Sequence, residues 1–167
     1  LYGAFMRFVN VGIGTGSTIN AAYLTYKSSA NNYLTVVNTN IHANDADNAV
    51  APTSAAEAQA LAVTSAVAWN GVGTWSAYAT YTTPSIVTPV QTVINRAGWA
   101  YGNALQILHK NNGSTLDAYR QFYSYNGSTS GCPKITITWT APGCLRPRVF
   151  VPNVSWLSKS LLKRREV

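Results

Sequence analysis

Acidic and histidine side chains, the usual carriers of acid–base chemistry, are scarce in this chain. Its 167 residues include five Asp and Glu and two His. A glycosidase needs two facing carboxyl groups, and here that pair would have to join Asp117 to Asp45 or Asp47. His42 and His109 each fall at the end of a predicted strand, and two histidines without a third ligand do not make a closed zinc site. With no Gly-x-Ser-x-Gly nucleophile turn either, the sequence predicts a protein that is not an enzyme.

Two of the aspartates lie in one short polar segment. Asp45 and Asp47 alternate within 44–48, and alternate carboxylates in a tight loop offer the oxygen ligands that Ca²⁺ prefers. The same side chains can instead accept hydrogen bonds from the local backbone in an Asx-turn. The absence of the glycine-containing 12-residue calcium loop favours the Asx-turn. A structural Ca²⁺ held by Asp45 and Asp47 stays the alternative, and no other cofactor is expected.

Aromatic residues are the second group with chemical potential, since the chain has 5 Trp and 10 Tyr. Sugar-binding sandwiches stack pyranose rings on exposed aromatic faces and grip hydroxyls with nearby polar side chains. Trp69, Trp99 and Trp139 are expected in the core, because aromatic burial dominates such cores. The candidates for carbohydrate binding are the aromatic residues in or near predicted loops: Trp75, Tyr78, Tyr81 and Tyr101.

The net charge of +7 is concentrated near the C-terminus. Residues 1–144 are nearly neutral, so they form no platform for specific nucleic-acid binding. The sequence contains no stretch of 18 apolar residues, so it predicts no membrane span. Residues 145–167 carry a basic run that predicts a solvated tail or an arm that docks on a neighbouring subunit. The basic residues of this assembly arm are Arg146, Arg148, Lys159, Lys163, Arg164 and Arg165.

Charged residues make up only 10% of the chain, against about 25% in ordinary soluble domains. A surface of hydroxyls, amides and aromatics is typical of secreted, cell-surface and virion-surface proteins, so we expect an extracellular or virion-surface location. In an oxidising compartment, Cys132 and Cys144 could form a disulfide across the strand that they bracket. Two buried thiols are the alternative, because spacing alone does not fix disulfide geometry.

Short segments rich in β-branched and aromatic residues recur along the chain, separated by Gly, Asn and Pro turns. Alternation of apolar and polar residues is typical of strands with one buried face. About eight such segments predict an all-β fold, a jelly-roll type β-sandwich of antiparallel strands. Residues 146–151 have the composition of one more strand. The predicted strands are Tyr2–Val11, Thr18–Lys27, Tyr33–His42, Val63–Trp69, Trp75–Thr83, Ala104–His109, Tyr119–Tyr125 and Lys134–Thr140.

Two short helices are predicted between the strands. Ser54-Ala-Ala-Glu57 has the pattern of a capping box and opens a helical turn to about Leu61. Thr88-Pro-Val-Gln91 has the same pattern, with Pro89 at the first helical position and Gly98 beyond the end. A helix this short does not stand alone, so it must pack across the sheets.

Several motifs spread over about residues 5–140 resemble DNRLRE-like (disaggregatase-related) modules. The most specific part is Asn95-Arg-Ala-Gly-Trp99 followed by Gly102-Asn-Ala104. The resemblance implies a jelly-roll sandwich akin to carbohydrate-binding modules, and it points to a structural calcium. The region that precedes Tyr2 in such modules is short or missing here, and the segment after Trp139 has no counterpart in the family pattern. In chain order, the motifs are Arg7-Phe8, Gly16–Leu24, Asp45–Asn48, Trp69, Val93–Trp99, Gly102–Leu105, Tyr123–Ser128 and Lys134–Trp139.

We therefore expect a β-sandwich domain over residues 1–144 and a basic C-terminal extension over residues 145–167. The favoured function is a non-enzymatic structural protein of a virion or cell surface, such as a decoration, coat or filament subunit. It would pair with identical copies or other subunits through its termini, by strand addition. The alternative is a carbohydrate-binding or adhesion module of a secreted protein, whose partner is a polysaccharide.

Overall fold

The fold is taken from a computed structural model, which describes residues 3–32, 36–143 and 147–150. Over these residues the chain forms eight strands and two short helices. The helices are α1 (Ala55–Ala60) and α2 (Val87–Ile94). The strands are β1 (Gly3–Phe8), β2 (Thr18–Lys27), β3 (Val37–Ala43), β4 (Val67–Val72), β5 (Thr80–Thr82), β6 (Leu105–Asn111), β7 (Lys134–Thr140) and β8 (Arg148–Phe150).

The strands form two four-stranded antiparallel sheets, which confirms the predicted all-β sandwich. The first sheet has the order β1-β6-β3-β4 and the second β5-β2-β7-β8. The observed bounds of β2 and β7 match the predicted ones, because their alternation of apolar and polar residues is regular.

The core lies between the facing sides of the two sheets. Ile135 and Ile137 of β7 face Leu105 and Ile107 of β6, and all four side chains are fully buried. Burying each such side chain stabilises the fold by about 1.5–3 kcal/mol. A slip of one residue in the β7 register would turn its isoleucines to solvent, so this apolar pattern fixes the register.

The predicted strand at Tyr119–Tyr125 is wrong. The segment makes one isolated bridge, between Phe122 and Ser28, and side chains hold the rest. The backbone N–H of Gln121 donates to the side-chain oxygen of Asn32. Beyond this bridge, side-chain hydrogen bonds hold the segment, where the Tyr-rich composition predicted a ladder of backbone hydrogen bonds.

The last strand lies beyond the predicted end of the domain. β8 pairs antiparallel with β7, with Val149 opposite Thr138. The second sheet therefore includes a strand within residues 146–151, whose composition is that of one more strand.

The two helices begin differently. Ser54 caps α1 as predicted, because its hydroxyl accepts from the N–H of Glu57 at 3.2 Å. The predicted capping box of α2 is wrong: the N-cap is Ile86, and no side chain caps it. The carboxamide of Gln91 instead accepts from the N–H of Ile19 at 2.7 Å. It ties the helix to β2, so packing rather than capping sets where α2 begins.

Strand direction separates the two ends of the sandwich. β1 and β6 are antiparallel, so Gly3 lies beside Lys110 at one end of the first sheet, and Phe8 lies beside Leu105 at the other. We call the end with Gly3 and Lys110 the cleft end. We call the end with Phe8 and Leu105 the clamp end.

Candidate functional site

A cleft of about 330 Å³ opens at the cleft end, with lining residues from both sheets and from the loop after β6. Its volume falls near the lower bound of small-molecule sites, which span about 300–1,000 Å³. Five aromatic rings form its floor: Tyr26, Trp69, Trp75, His109 and Phe122. Most of its rim is polar and includes Asn38, Asn111, Ser114, Thr115, Asp117, Tyr119 and Arg120.

The aromatic floor is built around the buried ring of Tyr26. Its centroid lies 4.7 Å from that of Phe122, 6.0 Å from Trp75 and 6.4 Å from Trp69. Tyr26 and Trp75 are buried, whereas Trp69 and Phe122 are only partly buried. The aromatic surface that a ligand can reach therefore comes from Trp69, Phe122 and the half-buried ring of His109.

Trp75 does not expose a ring face, and the expectation that it would is wrong. It is 3% exposed and stacks on Tyr81, with the ring centroids 4.5 Å apart and the planes 2° from parallel. Backbone hydrogen bonds to Asn32 in both directions draw the segment of Trp75 inward. Trp75 is therefore a supporting part of the floor.

The other predicted sugar-binding residues are divided between the two ends. Tyr81 supports the cleft from beneath Trp75, and its hydroxyl accepts from the N–H of Ser76 at 2.7 Å. Tyr78 is exposed but lies outside the cleft lining. Tyr101 is 75% exposed, and it lies beside Gly12 at the clamp end. The structure thus brings two of the four candidates to the cleft and leaves Tyr101 far from it.

Sequence reasoning missed the residues that carry the accessible floor. Trp69 was expected in the core, although it ends the predicted strand Val63–Trp69, directly before the turn signal Asn70-Gly71. Phe122 lies within the predicted strand Tyr119–Tyr125, and no turn signal directly follows it. Trp99 and Trp139 are buried, as predicted.

A chain of hydrogen bonds crosses the floor through His109, whose side chain is half-buried. The hydroxyl of Thr39 donates to the carbonyl of Lys110 at 3.1 Å, so it accepts from Nδ1 of His109 at 3.3 Å. Nε2 of His109 then accepts from the hydroxyl of Tyr26 at 2.6 Å. Burial lowers the pKa of His109 to about 4, with the charge of His42 as a smaller cause. Burial also raises the pKa of Tyr26, so both rings are neutral at pH 7.

Several polar groups of the rim are committed to the protein. Arg120 donates to the carbonyl oxygens of Val72 and Gly73, each at 2.6 Å, and burial lowers the pKa of its guanidinium. The side chain of Asn38 accepts from the N–H of Gly71 and donates to the carbonyl of Gly113. These bonds fix the loop after β6 against β4, which gives the cleft a rigid wall.

The clamp end contains the predicted calcium residues, and an arginine lies against both. Arg96 Nε donates to Asp47 Oδ1 at 2.6 Å, and its Nη1 donates to Asp45 Oδ1. The hydrogen bond to Asp47, and to a smaller extent the one to Asp45, raises the pKa of Arg96. A side chain at Gly98 would collide with the carboxylate of Asp47 and push it from its position against Arg96. Ca²⁺ would have to displace Arg96 from both carboxylates.

Among the described residues, no group of three or more His, Cys, Asp and Glu side chains could hold a metal ion. The polar segment bonds to residues far along the chain: Asn48 Oδ1 accepts from the N–H of Ala104 at 2.9 Å, and Asn103 Nδ2 donates to the carbonyl of Asp47 at 3.1 Å. The carboxylates of Asp45 and Asp47 bind Arg96 rather than the local backbone, which differs from the expected Asx-turn.

Three of the motifs that resemble DNRLRE-like modules meet in this clamp: Asp45–Asn48, Val93–Trp99 and Gly102–Leu105. Arg96, Asn103 and Asn48 tie three separate segments together, and the indole N–H of Trp99 donates to the carbonyl of Ile13 at 2.9 Å. The motif residues therefore hold loops to one another. In the clamp, these side chains therefore serve a structural role.

The carboxylate pair that a glycosidase would require is not assembled. Asp117 lines the cleft, whereas Asp45 and Asp47 bind Arg96 at the clamp end. The two positions lie at opposite ends of the sandwich.

Some predicted residues lie outside the described part of the chain: Cys144, Arg146, Lys159, Lys163, Arg164 and Arg165. The disulfide and most of the assembly arm therefore stay predictions. Cys132 is buried, its Sγ donates to the carbonyl of Thr129 at 3.1 Å, and burial raises its pKa. Arg148 lies exposed on β8.

Comparison with protein-family models, with curated proteins and with solved structures gives no match for this chain. The DNRLRE-like resemblance therefore rests on the motifs alone. Among the described residues, neither helix has the length and apolar character that a membrane span requires.

Proposed function

We propose that this chain is a non-enzymatic carbohydrate-binding module, of jelly-roll type, at the surface of a cell or virion. The observation that carries the proposal is the cleft in which Trp69 and Phe122 offer partly exposed rings above a buried aromatic floor. Aromatic rings bind the apolar faces of sugars, and polar rim groups hold their hydroxyls.

The charge and size of the cleft favour a sugar over other small ligands. His109 and Tyr26 are neutral at pH 7, and Arg120 is committed to carbonyl oxygens. No strong cationic group of the floor is available to recognise a phosphate. A volume of about 330 Å³ suits one or two sugar units at a chain end better than a long stretch of polysaccharide.

Affinity electrophoresis tests the proposal with gels that contain soluble mannan, xylan, galactan or mixed-linkage β-glucan. We expect at least one of these polysaccharides to slow the wild-type chain, and Trp69→Ala to abolish the retardation. Tyr101→Ala is the matched control, because Tyr101 is an exposed aromatic residue at the clamp end. It should be slowed as much as the wild type. A wild type that passes all four gels unretarded would overturn the proposal, as would equal retardation of Trp69→Ala.

A second function, assembly into a larger structure, is favoured by β8, which is the last strand of the second sheet among the described residues. β8 is a three-residue strand, and Val149 is 67% exposed. An unprotected edge can accept a strand from a neighbouring copy. We expect light scattering to give an oligomeric mass for the wild type and a lower mass for Val149→Lys, which places a charge on the edge. A monomeric wild type at high concentration would argue against assembly.

A further inference from the structure

Asp117 is the charged side chain of the cleft that has no partner among the residues that the structure describes. It lines the cleft and is exposed. Among the described residues, its carboxylate takes part in no ion pair or hydrogen bond. A carboxylate is a strong acceptor with room for several hydrogen bonds, so Asp117 has unused capacity inside a concave site.

The neighbours of Asp117 behave differently. The guanidinium of Arg120 is held by carbonyl oxygens of Val72, Gly73 and Tyr119. The hydroxyl of Ser114 donates to the carbonyl of Asn38 at 2.9 Å and accepts from its N–H at 3.0 Å. These side chains build the wall of the cleft, whereas Asp117 contributes nothing comparable to it.

The backbone at Asp117 is also unusual, with a φ of +59°. Non-glycine residues seldom adopt this left-handed conformation, although Asp and Asn tolerate it better than others. Strained positions of this kind cluster at ligand sites. The conformation alone would be served equally by Asn and better by Gly, so it does not account for a negative charge at this position.

We infer that Asp117 is the specificity-determining residue of the cleft, and that its carboxylate accepts hydrogen bonds from the hydroxyls of a neutral saccharide while repelling uronic-acid polymers. This inference rests on the proposed function, because it assigns a ligand class to the same cleft. Hydrogen bonds to an ionised acceptor are stronger than neutral ones. The floor is neutral and the guanidinium of Arg120 is held by carbonyl oxygens, which leaves Asp117 as the group that sets the charge preference.

The test compares Asp117→Asn and Asp117→Gly with the wild-type full chain. Both variants remove the charge, and both residues accept a positive φ, so the loop is retained. The probes are the four neutral polysaccharides above and polygalacturonate, at 0.15 M salt, which screens the long-range attraction of the basic chain over about 8 Å. Thermal unfolding checks that each variant folds.

We expect a neutral polysaccharide to slow the wild type and polygalacturonate not to. Both variants should bind the neutral polysaccharide about tenfold or more weakly, the effect of losing a hydrogen bond to a charged group. Their melting temperatures should stay equal to that of the wild type or rise for Asp117→Gly, since glycine relieves the strained φ.

Two outcomes would overturn the inference while leaving the proposed function in place. One is equal retardation of the wild type and both variants by the neutral polysaccharide, which would make Asp117 a turn residue only. The other is retardation of the wild type by polygalacturonate as strong as by the neutral polymer. A wild type that none of the five polymers slows would overturn the proposed function and this inference together.

Discussion

The two ends of the sandwich use similar residues in opposite ways. At the clamp end, Arg96 lies against Asp45 and Asp47, and Trp99 is buried with its N–H bonded to a carbonyl. At the cleft end, Asp117 has no partner among the described residues, and the ring of Trp69 is partly exposed. Charged and aromatic residues that satisfy one another hold loops in place. Those left unsatisfied in a concavity mark where a ligand would bind.

The largest expected effect is on the free energy of unfolding, and it distinguishes Trp99 from Trp69. Trp99→Ala removes a ring that is 2% exposed, which should lower the free energy of unfolding by about 3–5 kcal/mol. Trp69→Ala removes a partly exposed ring and should cost about 1–2 kcal/mol. Urea denaturation at pH 7 measures both. Equal losses would mean that Trp69 is as much a core residue as Trp99.

The cleft end should also be the acid-sensitive end. The pKa of His109 in the folded protein, about 4, lies below its ordinary value of 6.5, so the unfolded chain takes up a proton first as the pH falls. This contribution to stability is complete above pH 6.5 and is lost as the pH falls towards 4. The loss should be about 2–3 kcal/mol, allowing for partial exposure of the ring.

His109→Gln is the control for this pH dependence. Glutamine does not titrate but keeps hydrogen-bonding capacity towards Tyr26 and Thr39. Urea unfolding between pH 6.5 and 4 should therefore show a flatter profile for the variant. Parallel profiles for the wild type and His109→Gln would assign the acid sensitivity to other groups.

A smaller effect is expected at the clamp, where the charges are more exposed. Arg96→Ala should lower the melting temperature, because Asp45 and Asp47 lose the cation between them. Millimolar Ca²⁺ should then raise the melting temperature of the variant by more than that of the wild type, since the ion can occupy the vacated position. An equal or larger rise in the wild type would support the predicted calcium site over the arginine clamp.

The smallest effect is expected at Tyr101, which is exposed at the clamp end. Tyr101→Ala should change the free energy of unfolding by no more than about 0.5 kcal/mol. It should leave polysaccharide retardation unchanged. A loss of retardation in this variant would move the binding site to the clamp end.

The sequence predicted those parts of the fold that depend on local patterns. Strict alternation predicted β2 and β7 with correct bounds, and Ser54 was recognised as a helix cap. The failures at α2 and at residues 119–125 have one cause. There, Gln91 and Asn32 bond to segments distant in the chain, and such contacts leave no local pattern.

The candidate site was only partly predictable for the same reason. Exposure of an aromatic residue depends on what packs over it. Trp75 was expected to be exposed but is buried, whereas Trp69, expected in the core, packs against the core with its ring only partly buried. Asp45 and Asp47 were recognised as a pair, but their partner Arg96 lies about fifty residues further along the chain.

Indole N–H resonances offer the most direct test of the claim that the aromatic cleft binds a saccharide. An oligosaccharide cut from the polysaccharide that slows the wild type would be titrated into ¹⁵N-labelled protein. We expect the Nε1–H signals of Trp69 and Trp75 to shift, because both rings line the cleft. The signals of Trp99 and Trp139, which are buried outside the cleft lining, should stay in place. Shifts at Trp99 with none at Trp69 would contradict the claim.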